Sequence, residues 1–127
     1  MKKKVLIVED NENNRYLETV LMEHAGFTVV QAVNGREGIA AALREKPDII
    51  LMDIQMPEMD GYETTTQILA DESLRGIPVV GVSSYALSGD REKALAMGFA
   101  GYIEKPINPD TFADEVRRHL RRGGDSA

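Results

Sequence analysis

The apolar positions of this chain alternate between two patterns. Three stretches, "VLIV" at Val5 to Val8, "DIILM" at Asp48 to Met52 and "PVVGV" at Pro78 to Val82, are apolar without polar interruption. A strand covered by helices on both faces needs such a run, so these predict central strands of a parallel sheet. "TVVQA" at Thr28 to Ala32 and "AGYIE" at Ala100 to Glu104 are more mixed and predict strands nearer the edges.

Segments of helical length lie between them. The first helix is expected from about Asn11 to Ala25, with Leu17, Val20 and Leu21 on one face and Gly26 as a left-handed stop. A second runs from about Gly35 to Arg44, with Asn34 as N-cap, Ile39, Ala42 and Leu43 inward, and Pro47 ending it. A third, near Tyr62 to Ala70, is poorer in apolar residues, and its "TTT" run argues against regularity. Ser88 can cap a fourth helix that stops at Gly98. Asn108-Pro109 has the cap-then-proline form for a fifth, in which Phe112, Val116 and Leu120 repeat every four residues.

The order is β-α five times over. Right-handed crossovers then leave few topologies, and five strands suit a flavodoxin-like three-layer α/β sandwich, (βα)5, with sheet order 2-1-3-4-5. Ligands in such a sheet bind beyond the carboxyl ends of the strands. Glu9 and Asp10 follow the first strand, Asp53 the third, Ser83 the fourth and Lys105 the fifth, so all five are expected at one edge.

Composition narrows the picture. The 127 residues are one domain's worth of chain, enough to bury about two-thirds of the unfolded surface. We expect a single domain over residues 1–122 and a flexible tail from Gly123 to Ala127, the initiating Met1 favouring a complete protein. The lack of Cys removes disulfides, thiolate metal sites and cysteine nucleophiles and favours the cytoplasm. The apolar run after the N-terminal lysines is too short for a signal peptide or a membrane span, so no membrane insertion is expected. A net charge of -6 opposes direct binding to nucleic acid, and "RRHLRR" at Arg117 to Arg122 reads as the cationic end of a helix.

An acidic edge needs neutralising. Three carboxylates within a few ångströms raise one another's pKa, so one of them carries a proton or a cation sits among them. Oxygen donors without His or Cys suit a hard ion, Mg²⁺ first and Mn²⁺ as a possible substitute. Ca²⁺ is the rival, but its Asp-rich loop motif is missing. With Lys105 as a compact positive charge and Ser83 as a hydroxyl donor, the edge can hold a phosphoryl group against an Asp53 oxygen.

The combination "VEDN" after the first strand, "MDIQMPEMDG" after the third, a hydroxyl residue ending the fourth and "YIEKPI" at the fifth resembles the receiver domain of two-component response regulators, over about Lys3 to Arg122. It is most similar to stand-alone receivers and those attached to hybrid kinases. The resemblance implies that Asp53 accepts a phosphoryl group from a sensor histidine kinase or a histidine phosphotransfer protein. It implies that Asp10, and Glu9 through water, bind Mg²⁺ beside Asp53 and the backbone carbonyl of Gln55. Ser83 takes the switch position, Lys105 pairs with the phosphoryl group, Tyr102 matches an aromatic that turns inward on activation, and Lys105-Pro106 matches a cis peptide. Such a switch presents a helix 4, strand 5 and helix 5 face to a downstream protein. Its chemistry is limited to Mg²⁺-dependent autophosphorylation and autodephosphorylation, without turnover of other substrates. Ser83 stands where Thr is commoner, and Ser84 where Ala is frequent.

Plainer readings accompany these. Asp10 taken alone suits a helix N-cap, Asp60-Gly61 and Met56-Pro57 are turn chemistry, and Tyr102 alone is a strand aromatic. His24 and His119 read as surface residues on helices. A haloacid dehalogenase type enzyme normally has an acid two residues after its nucleophile, where this chain has Gln55. A flavodoxin needs a phosphate-cradling first loop, where this chain has "EDNENNR". The remaining alternative is a phosphorylation-independent binding module on the same fold.

Overall fold

The computed structural model describes residues 2–84 and 90–120. Its elements are β1 (Lys4–Val8), α1 (Glu12–His24), β2 (Thr28–Ala32), α2 (Gly35–Glu45), β3 (Ile49–Asp53), α3 (Gly61–Ala70), β4 (Val79–Ser83), α4 (Asp90–Met97), β5 (Gly101–Glu104) and α5 (Phe112–Arg118). A single 3-10 turn at Glu72–Leu74 follows α3. The five strands form one parallel sheet in the order β2-β1-β3-β4-β5, as the sequence pattern predicts.

Strand alternation divides the core in two. Leu6, Val8, Ile50 and Met52 face one layer with Ala42 of α2, Ile68 of α3 and Ala94 of α4. Val5, Ile7, Ile49, Leu51, Val80 and Val82 face the other, against Met22 of α1 and Phe112 and Val116 of α5. Every residue of β3 is buried, which is why its sequence shows no polar alternation.

The N-cap expected at Asn34 forms on α2, whereas α1 is capped by Asn11 and not Asp10, and α3 by Asp60. Asn11, Asn34 and Asp60 each accept a hydrogen bond through Oδ1 from the backbone N–H three residues on, at 2.9, 2.8 and 2.9 Å. Asp60-Gly61 is therefore a helix start and not only a turn. Gly61 is needed there because a Cβ would lie 2.5 Å from the Asp53 carbonyl oxygen, where α3 begins against the end of β3. The "TTT" run does not disturb α3, because Thr64 and Thr66 donate their hydroxyls to the carbonyls of Asp60 and Tyr62 at 2.8 and 2.9 Å.

The helix faces differ from expectation at three places. Val20 is 41% exposed, while Glu18 and Met22, two residues to either side and so about 200° around the helix, are buried. Leu43 is 39% exposed, because α2 lies so close to the sheet that small residues, Gly38, Ala41 and Ala42, make the contact. α5 starts at Phe112 and not at Asn108. Asn108 instead accepts from Asp110 N through its side chain at 2.9 Å and from Thr111 N and Phe112 N through its carbonyl, closing a turn that leads into the helix. The Ser88 cap and the tail from Gly123 lie outside the described residues.

Candidate functional site

The parallel sheet sends the ends of β1, β3, β4 and β5 to one edge. Glu9 and Asp10 come directly after β1, Asp53 is the last residue of β3, Ser83 the last of β4, and Lys105 follows β5. Glu9, Asp10 and Asp53 offer carboxylate oxygens within 4.8 Å of one another. Lys105 Nζ reaches in from the far strand, 3.0 Å from Glu9 Oε1 and 3.4 Å from Asp53 Oδ1. An open recess of about 230 Å³ lies over them, bordered also by Asn11, Asn14, Gln55 and Ser84. A larger groove of about 440 Å³, near Lys2, Lys3 and Arg117, lies at the opposite end of the strands and touches none of these groups.

The carboxylates differ in their surroundings. Glu9 is 1% exposed and is fixed by the Lys105 pair and by Asn11 N, which donates to Oε2 at 3.2 Å. Asp10 faces solvent. Asp53 is 3% exposed, and burial pushes its carboxyl up to about 8, helped by the hydrogen bond and charge of Glu9 and opposed by Lys105, with Asp10 adding a smaller push. Burial works to lower the Lys105 ammonium, but its bond to Glu9 and the charges of Asp53, Glu9 and Glu18 prevail and hold it above the usual lysine range. One ammonium therefore faces an excess of acid, and full ionisation requires further positive charge. The all-oxygen donor set fits a hard divalent ion.

Gln55 contributes more than a backbone carbonyl. Its N–H donates to Asp53 Oδ1 at 3.3 Å, and its carboxamide crosses to the loop after β4. There Nε2 donates to Ser83 Oγ at 2.8 Å, and Oε1 accepts from Ser84 N at 3.1 Å. Tyr102 is buried among the apolar residues beneath α4, its ring 5.9 Å from the Arg91 guanidinium, which also donates to the Tyr102 carbonyl at 3.2 Å. The Lys105-Pro106 peptide is cis.

Glu18 escaped the sequence reading. It sits on α1 as a buried side chain, hydrogen-bonded to Glu9, with Oε2 unpartnered among the described residues. Burial first, then the charge and hydrogen bond of Glu9, raise its carboxyl to about 9, with Lys105 pulling down and Asp53 pushing up. Its signal was the helical spacing to Met22, hidden because Val20 offered an apolar alternative. His24 is exposed as expected, but His119 is half-buried with its ring against Gly101, and burial together with Arg118 and Arg91 lowers its pKa.

The response regulator receiver domain model matches residues 5–117, and the chain belongs to that family of two-component signalling proteins. Among curated proteins, the polar-differentiation response regulator DivK of Brucella anthropi is 42% identical over 120 residues, covering 94% of this chain and 98% of that protein. Among solved structures, the chemotaxis protein CheY4 of Vibrio cholerae aligns with a TM-score of 0.89 at 28% identity, over 94% of this chain and 100% of that one. The receiver domain of the sensor histidine kinase PA1611 of Pseudomonas aeruginosa, described with a magnesium ion coordinated in its active site cleft, aligns with a TM-score of 0.84 at 32% identity, over 93% of this chain and 97% of that one. Among the described residues no helix is long and apolar enough to cross a membrane.

Proposed function

We propose that the chain, as one receiver unit over residues 1–122, is a phosphoacceptor switch in which Asp53 takes a phosphoryl group from a phosphohistidine on a sensor kinase or phosphotransfer protein. The observation that carries this reading is the convergence of three carboxylates and Lys105 on the end of β3, with the Asp53 carboxyl facing an open recess. An Asp53 oxygen attacks phosphorus, the P–N bond breaks, and the leaving imidazole nitrogen keeps the electron pair and takes up a proton from solvent. Hydrolysis of the acyl phosphate by water returns the Asp53 carboxylate and inorganic phosphate.

Asp10, Asp53, the Gln55 backbone carbonyl and, through water, Glu9 would form the proposed Mg²⁺ site, with Mn²⁺ as a substitute; the receiver domain of PA1611 is described with a magnesium ion coordinated in its active site cleft. When bound, the ion supplies Lewis-acid neutralisation of the phosphoryl oxygens. Lys105 already stands within hydrogen-bond reach of Asp53 and is placed to pair with a phosphoryl oxygen, and Ser83 ends the neighbouring strand with a hydroxyl to offer. Arg91 links α4 to β5 at Tyr102, within the α4, β5 and α5 face that is the proposed surface for a downstream protein.

Intact-mass spectrometry after incubation with acetyl phosphate tests the reading. The expected result is one phosphoryl adduct that needs both Mg²⁺ and Asp53. No adduct in the native chain, or an equal adduct in Asp53→Ala, refutes it and leaves the phosphorylation-independent module.

A further inference from the structure

We infer that the Gln55 carboxamide is a positioning residue that holds Ser83 and Ser84 in the resting state and competes with the phosphoryl group for them. This inference rests on the phosphoacceptor reading of Asp53.

The orientation of the amide is decided by its partners. A backbone N–H can only donate, so the group facing Ser84 N at 3.1 Å must be the carbonyl oxygen. Nε2 then faces Ser83 Oγ and donates to it at 2.8 Å. One planar group thus ties the loop after β3 to the end of β4, beside the proposed acceptor carboxyl. Both Gln55 and Ser84 border the recess that contains Asp53.

A phosphoryl group on Asp53 brings three oxygens that accept hydrogen bonds and donate none. Lys105 Nζ and the Gln55 backbone N–H lie 3.4 and 3.3 Å from Asp53 Oδ1, and the further donors on this edge are the Ser83 hydroxyl, at the end of the adjacent strand, and the N–H of Ser84, which borders the recess. The Gln55 amide oxygen occupies the last of these at rest, and its N–H engages Ser83. The phosphoryl oxygen and Gln55 Oε1 are therefore rivals for Ser84 N–H. Because both Gln55 contacts come from one rigid plane, they are released together when the rival wins. Two net hydrogen bonds of ordinary strength held only in the resting state lower the affinity of the rival by about thirtyfold.

The test uses beryllofluoride, a phosphoryl analogue, titrated in the presence of Mg²⁺ and followed by amide NMR of the full chain. Gln55→Ala removes the carboxamide, and Gln55→Met keeps its length and volume without either hydrogen bond. Both variants are expected to bind beryllofluoride about thirtyfold more tightly than the native chain. In the analogue-free protein both should also shift the Ser84 amide proton upfield, as loss of its acceptor requires. Equal or weaker binding in both variants, with the native chain binding in an Asp53-dependent manner, overturns the Gln55 inference alone. Tightening in Ala but not in Met also overturns it, since relief of crowding then accounts for the change. Failure of the native chain to bind the analogue overturns this inference and the phosphoacceptor reading together.

Discussion

Glu18 makes stability depend on pH in a direction opposite to that of an ion-paired acid. Its carboxyl is 1% exposed, and its pKa rises from 4.5 to about 9. Between those values the folded chain holds a proton that the unfolded chain has released, so stability falls as pH rises, by about 1.4 kcal/mol per unit. The contribution is absent below the unfolded pKa and complete above the folded one. At pH 7 the interval above 4.5 is roughly 2.5 units, which corresponds to a loss on the order of 3 kcal/mol. Glu18→Gln keeps the shape and the ability to donate to Glu9, and it has no proton to lose. The variant is expected to gain less than about 1 kcal/mol near pH 5 and about 3 kcal/mol near pH 7.

Urea unfolding with a chelator present, followed by far-UV circular dichroism since the chain has no Trp, measures both proteins across this range. Asp53 adds its own slope in each, so the difference between the two proteins isolates Glu18. A difference that stays flat from about pH 5 to pH 8, or a Gln variant less stable throughout, would refute the reasoning.

Other consequences follow from the same edge. The Asp53 carboxyl, pushed up to about 8, must give its proton up to solvent when a cation binds, so Mg²⁺ affinity is expected to rise up to about tenfold per unit between roughly pH 6 and pH 8. Calorimetry in buffers of different ionisation enthalpy reads the released proton, and a pH-independent affinity contradicts the assignment. Gly61→Ala places a Cβ 2.5 Å from the Asp53 carbonyl oxygen and should cost about 1–3 kcal/mol in thermal or urea unfolding, with amide shifts around Asp53. Asn34→Ala removes the cap bond to Glu37 N and should cost about 1 kcal/mol. Val20→Gln, on the exposed side of α1, should stay within about 0.5 kcal/mol of the native chain, whereas Met22→Ala should lose about 2–5 kcal/mol.

The uninterrupted apolar runs and the alternation of strand and helix already determine a parallel sheet, because strands buried on both faces and joined by helical crossovers have few other arrangements. They also determine which side chains meet: in a parallel sheet Glu9, Asp10, Asp53, Ser83 and Lys105, far apart in sequence, must reach the same edge. Caps at Asn34 and the stop at Gly26, whose φ is +99°, were legible because they depend on neighbours within one turn. The inward face of each helix was not. Periodicity marks where apolar residues recur, but the distance to the sheet decides which of them fit, so Leu43 stays out where α2 needs alanines and glycine, and Val20 stays out while Glu18 goes in. The carboxamide of Gln55 likewise had no meaning until the loop after β3 was set against the end of β4. Local sequence chose the elements and the edge; the contacts across elements, which depend on distances no spacing encodes, decided the state of the groups gathered there.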